Sequence, residues 1–151
     1  MSAGFVLVEG VYTSYAYYDG QDMPCWYYAV INCQETTILL VDNIGQNIYV
    51  YDIAAKTLTL IRTSDNLIAY GYEGYRDASV FGTYSIIKEE IGAAVNLLVY
   101  KNGVLLQVIA ISDIDLSTIQ GAVISQRAQY IIVFGRRIST GNYGFIVLKG
   151  S

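Results

Sequence analysis

The chain has 151 residues, 54% of them hydrophobic and 15% charged, with a formal net charge of −4. This is long enough for one domain with its own core and too apolar for a disordered chain. It has no basic stripe of the kind that binds nucleic acid and no apolar run of the ~18 residues that a spanning helix needs. It also lacks histidine altogether, which removes the commonest metal ligand and the commonest general base near neutral pH.

Residues 4–11 are expected to form a strand, with Phe5 and Leu7 on one face and Val6 and Val8 on the other. Residues 12–18 extend it or form a second strand. Asp19-Gly20 and Pro24 then mark a loop. The opening Met1-Ser2-Ala3-Gly4 has neither a basic n-region nor an apolar h-region, so no secretory signal is expected.

The best-defined unit follows, with strands expected over 25–32, 36–42, 48–53 and 57–63. Its turns fall at 43–46 and 54–56. Ile38-Leu39-Leu40-Val41 is apolar on both strand faces. A half-buried sheet alternates instead, whereas sheets stacked face to face bury both sides. A second unit begins near Asn66, where residues 67–72 and 78–81 compete for its first strand. Residues 84–88 form the next strand. Residues 89–94 are expected to be a loop, because Gly92 interrupts them and the run is too short to hold a helix. Asn102-Gly103 joins strands 97–101 and 104–111, the strongest short hairpin signal, since a type I′ turn needs positive φ at both central residues. Residues 112–117 form a linker. The third unit has strands over 121–125, 130–135 and 143–149, with 136–142 as an exposed loop, and no fourth strand.

These units repeat. Asn47-Ile48-Tyr49-Val50-Tyr51-Asp52 recurs as Asn96-Leu97-Leu98-Val99-Tyr100-Lys101 and, more loosely, as Gly144-Phe145-Ile146-Val147-Leu148-Lys149. The intervals are about 49 and about 48 residues, within the period range of propellers and related arrays. Independently, residues 29–41 align without a gap on residues 122–134, an offset of about 93 residues, or two periods. Residues 78–88 are a poorer copy between them.

The segments Ile48-Tyr49-Val50-Tyr51-Asp52 and Leu97-Leu98-Val99-Tyr100-Lys101, and Val123-Ile124-Ser125 leading to Tyr130-Ile131-Ile132-Val133, resemble blades of the WD40-like and quinoprotein-like β-propellers. The resemblance runs from about Cys25 onward. No Trp-Asp or Gly-His signature accompanies it and no quinone-binding set matches, so no cofactor carries over. It implies an all-β chain of antiparallel four-stranded blades in a single domain. Residues 1–24 would be a closing strand and loop, 25–65 the first blade, 66–112 the second, and 113–151 the third, short of its last strand. Three blades are too few for a ring of ~4–8. Two copies forming a six-bladed ring, a chain that is part of something longer, and a compact β-prism or barrel are the alternatives, with a homodimer favoured because unpaired apolar edges invite association. The low charge and abundance of Ile and Tyr are also similar to those of crenarchaeal virus proteins, which implies a virion component.

The candidate chemistry is sparse. Cys25 and Cys33 are too few for a disulfide framework, and a strand between them holds them too far apart to pair. Without histidine no Ser-His-Asp triad exists. Asp113/Asp115 and Glu89/Glu90 are neighbouring carboxylates of the kind glycosidases use, but solvated loop charges are far commoner than such a pair. Fifteen tyrosines suit both packing and contact surfaces. Tyr17, Tyr18, Asp19, Trp26 and Tyr75 cluster around the loops of two unit openings and form a candidate sugar-stacking site. Arg136 and Arg137 are candidate contacts for an acidic partner. No catalytic residue, metal site or cofactor is expected. The leading expectation is a non-enzymatic structural or interaction protein that self-assembles through its blades. A lectin-like module and a fragment of a larger propeller enzyme are the alternatives.

Overall fold

A computed structural model describes residues 10–16, 26–32, 34–42, 44–73, 83–125 and 128–150. The chain is all-β, and every strand pairing is antiparallel. The first sheet is a meander of β1 (Trp26–Ile31), β2 (Thr37–Asp42), β3 (Asn47–Asp52) and β4 (Thr57–Thr63). The second is β5 (Asn66–Glu73), β6 (Tyr84–Ile91), β7 (Ala94–Lys101) and β8 (Val104–Ala110). A 3-10 turn, Ile111–Ile114, leads into the third, β9 (Leu116–Ile124), β10 (Tyr130–Arg137) and β11 (Tyr143–Lys149). The third sheet has three strands where the others have four, and none of the sheets closes into a barrel.

The second sheet lies between the other two. Successive side chains on a strand point to opposite faces, and β6 and β7 are apolar at both parities. Ile87, Leu98 and Tyr100 pack with Leu67 against Val30, Leu39, Val41 and Ile48 of the first sheet. Their neighbours Ile86, Leu97 and Val99 pack against Leu116, Ile119, Ala122 and Val133 of the third, with Ile111 at the rim. Fully burying one such aliphatic side chain contributes about 1.5–3 kcal/mol, so the two joints dominate the fold's stability. This explains why the central strands do not alternate in sequence.

The turns carry the repeat into three dimensions. Asn32 and Ser125, equivalent in the gapless alignment, each close the turn between a unit's first and second strands. The Asn32 Oδ1 accepts the Thr37 N–H at 3.0 Å, and the Ser125 Oγ accepts the Tyr130 N–H at 3.0 Å. The third residue beyond each is left-handed, Glu35 at φ 58° and Ala128 at φ 57°. Asp42 does similar work at the next turn, accepting the Gln46 N–H at 3.0 Å. Asn102 and Gly103 have φ of 52° and 79°, the positive pair that a type I′ hairpin demands.

Several expectations are corrected. Residues 89–94 are not a loop: β6 runs on to Ile91, Gly92-Ala93 makes a tight turn with Gly92 at φ 56°, and β7 begins at Ala94. The glycine there reverses the chain rather than interrupting it. Arg136 and Arg137 end β10 rather than opening a loop, and the stretch taken as a linker is the 3-10 turn and the start of β9. The second unit's first strand is β5; residues 74–82 lie outside the described residues. So do residues 1–9, which hold most of the expected N-terminal strand. Gly10 to Ala16 contain no strand.

Candidate functional site

The most highly charged interior point joins the first two sheets. Glu89 on β6 is fully buried. Its Oε1 accepts Arg62 Nη2 at 2.8 Å and Asn96 Nδ2 at 3.1 Å. Its Oε2 accepts Arg62 Nε and the Ser64 hydroxyl. Arg62 lies on β4 and Ser64 just beyond it, so both reach across from the first sheet, while Asn96 is the β7 residue paired with Glu89. Burial alone raises the Glu89 pKa. The hydrogen bonds from Arg62, Ser64 and Asn96, with the Arg62 charge, outweigh it and bring the pKa down to about 2. Burial pushes nearby Tyr100 up to about 12, with the Arg62 charge opposing and Glu89 adding to the rise. A general acid or base works best with a pKa near the operating pH. A carboxylate near 2 with both oxygens doubly engaged is instead a fixed negative charge that clamps one sheet to the next. Glu90, its neighbour, turns the other way and pairs with Lys88 at 3.0 Å. The two carboxylates therefore do not form an acid–base pair.

The other carboxylate pair is also separated in role. Asp115, left-handed at φ 63°, accepts Arg137 Nη2 at 2.7 Å and Nε at 2.9 Å, together with the Ser139 N–H at 2.8 Å and hydroxyl at 2.6 Å. These bonds, Ser139 first and then Arg137, lower its pKa against a small opposing effect of burial. Asp113 sits on the exposed side of the 3-10 turn. Arg137 thus pins the β10–β11 turn to the turn before β9. Arg136 Nε donates to the Gly141 carbonyl at 2.9 Å.

Of the aromatic cluster, Tyr17, Tyr18, Asp19 and Tyr75 lie outside the described residues, as do Cys25 and Cys33. Trp26 is half-buried and meets the Tyr49 ring edge-on, centroids 5.3 Å apart at 88°. Tyr27 is the extra residue of a bulge between Trp26 and Tyr28. The bulge aims its hydroxyl at β5, where it donates to the Leu67 carbonyl at 3.0 Å and accepts the Ala69 N–H at 2.8 Å. That is a second tie between the first two sheets. A shallow, open cleft of about 10 Å³ between these sheets is lined by Asn32, Thr37, Thr83, Ser85 and Asn102, away from Trp26. That is room for about one water molecule, far below the ~300–1,000 Å³ of typical small-molecule sites. Among the described residues no three His, Cys, Asp or Glu side chains gather to hold a metal ion.

The outstanding surface is the free face of the third sheet, which the sequence reading did not single out. The residues that press the first sheet onto the second are Val30, Val41 and Ile48, with exposures of 7%, 0% and 0%. Their repeat equivalents on the third sheet, Val123, Phe134 and Phe145, are 49%, 39% and 61% exposed. Val147, equivalent to the buried Val99, is 51% exposed. β-Pairing puts these residues side by side: Phe134 opposite Phe145, and Ile132 opposite both Val123 and Val147. The gapless alignment of residues 29–41 on 122–134 already contained this signal, since it maps a core face onto the last sheet of the chain.

Compared with known proteins, the chain matches no protein-family model and no curated protein.

Proposed function

We propose that this chain is a non-enzymatic structural or interaction protein that works by associating with copies of itself through its sheets. The observation that carries this reading is the third sheet's free face. It repeats the apolar pattern of an internal joint, yet it is exposed at Val123, Phe134, Phe145 and Val147. Contiguous apolar patches of this kind mark interaction surfaces on folded proteins. The polar clusters at Glu89 and Asp115 support it indirectly, because each spends its charge holding one piece of the fold to another. The test is native mass by light scattering over a dilution series. An oligomer that persists to micromolar concentration is expected, and a monomer at every concentration refutes the reading.

A further inference from the structure

We infer that the partner of the third sheet's free face is the outer face of the first sheet in a second copy of this chain, and that two copies close into a ring of six sheets. This deepens the self-association reading and rests on it.

The repeat gives each sheet a direction. One face looks forward along the chain, the other back. On the first sheet Val30, Leu39, Val41 and Ile48 look forward onto the second. On the second sheet Ile86, Leu97 and Val99 look forward onto the third. The equivalent forward set on the third sheet is Val123, Ile132, Phe134, Phe145 and Val147, with no further sheet among the described residues to receive it.

The backward-looking faces repeat as well. Ile124, Ile131, Val133, Ile146 and Leu148 of the third sheet pack against the second. Their equivalents on the first sheet are Ile31, Ile38, Leu40, Tyr49 and Tyr51. This set is aliphatic and tyrosine; Ile31 is 49% exposed, Ile38, Leu40 and Tyr49 are half-buried, and Tyr51 is buried. Tyr51 stands where Tyr100 stands in the second sheet, and Tyr100 belongs to the joint with the first. The forward face at one end of the chain therefore has the pattern that the backward face at the other end receives in both internal joints.

Area decides how many such contacts are needed. A face of three strands ~4.8 Å apart and about seven residues long covers roughly 350 Å² in plan. A stable interface buries about 600–1,000 Å² per partner, so a single contact falls short and two, at roughly 700 Å² together, reach it. A head-to-tail contact that closes on itself makes two, one at each end of each copy. Two copies bring six sheets, inside the ~4–8 of closed radial arrays; a third copy exceeds that range. Closure also removes the exposed ends that let head-to-tail contacts grow into filaments.

The experiment combines sedimentation with cross-linking in a Cys25→Ser, Cys33→Ser background. The parent chain is expected to sediment as a dimer. Phe145→Asp, at an exposed position that leaves the internal joints intact, is expected to weaken dimerisation at least about 100-fold, because each dimer carries the change twice. Val104→Asp, exposed on β8, should leave dimerisation unchanged. Chains carrying Phe145→Cys mixed with chains carrying Tyr49→Cys should form a disulfide dimer that neither gives alone. A monomeric parent overturns both this proposal and the self-association reading. A dimer in which Phe145→Cys chains cross-link to each other, or which survives Phe145→Asp, leaves self-association standing and overturns the head-to-tail pairing. A ladder of larger species overturns closure by two.

Discussion

Replacing Glu89 by glutamine isolates the charge that joins the first two sheets. Glutamine keeps the shape and removes the titration. With its pKa lowered to about 2 in the folded chain and near its ordinary value when unfolded, Glu89 favours folding wherever it is ionised. The stabilisation is fully present above the unfolded pKa of about 4.5 and is lost as pH falls toward 2. A difference of about 2.5 pKa units corresponds to on the order of 3 kcal/mol, more than half of it gone by pH 3. Urea denaturation from pH 7 to pH 2 reads this directly, with the other carboxylates cancelling between the parent and Glu89→Gln. The parent should be the more stable at pH 7, and the two curves should converge on acidification. Curves that stay parallel below pH 5 would refute the clamp, since the carboxylate would then gain nothing from Arg62, Ser64 and Asn96 on folding.

The same joint should weaken when Tyr27 is changed to phenylalanine. The hydroxyl that bridges the Leu67 carbonyl and the Ala69 N–H is lost, for about 1–2 kcal/mol in the urea midpoint, with hydrogen exchange rising first at Ala69. Gly135→Ala should be far worse than its size suggests, because the new Cβ would sit 1.9 Å from the Thr118 carbonyl oxygen, so the β9–β10 pairing must shift. A loss of about 3 kcal/mol or more is expected by thermal melting. Gly141→Ala, left-handed at φ 70° but in open space, is the control and should lose only about 1 kcal/mol. Glu35→Gly and Ala128→Gly relieve the same left-handed strain at equivalent turns. Both should be neutral or stabilising by up to about 1 kcal/mol, and opposite signs would show that the two turns are not equivalent.

Local signals read well from the sequence. Asn102-Gly103 announced its hairpin, because few residues other than Asn, Asp and Gly hold positive φ cheaply. The apolar run Ile38-Leu39-Leu40-Val41 reads as a strand covered on both faces, but only Leu39 and Val41 are buried there and Ile38 and Leu40 are half-buried; it is the middle sheet, with Ile86, Ile87, Leu97 and Leu98 all buried, that is covered on both sides. What failed was chemistry between distant residues. Glu89-Glu90 beside Gly92 reads as a solvated turn, and only the fold brings Arg62 and Ser64 to Glu89. Asp115 and Arg137 likewise stand at the open ends of the β9–β10 hairpin, where only the strand register brings them together. Tyr27, next to the sugar-stacking candidate Trp26, has its hydroxyl turned onto β5 by a one-residue bulge. Period-two logic cannot foresee a bulge, which changes the face of a single residue without changing the pattern around it.

The direction of the repeat bears most on how the chain associates. If the free face of the third sheet met its own copy, forward-looking residues would face forward-looking residues: Phe145 and Phe134 against Phe134 and Phe145. Neither internal joint is built that way. In both, branched aliphatic residues on the forward face, such as Ile48 and Leu97, meet a backward face of different composition, Leu98 and Tyr100 in one case and Ala122 and Val133 in the other. The small residue matters. Ala122 lets Leu97 and Val99 seat closely on the third sheet, and Ala29 holds the equivalent position on the outer face of the first. Ala29→Phe should therefore fill the seat that Phe145 of a second copy requires. It should dissociate the dimer as fully as Phe145→Asp does, while leaving the thermal unfolding of the monomer unchanged. A dimer indifferent to bulk at position 29 would mean that the outer face of the first sheet lies outside the contact.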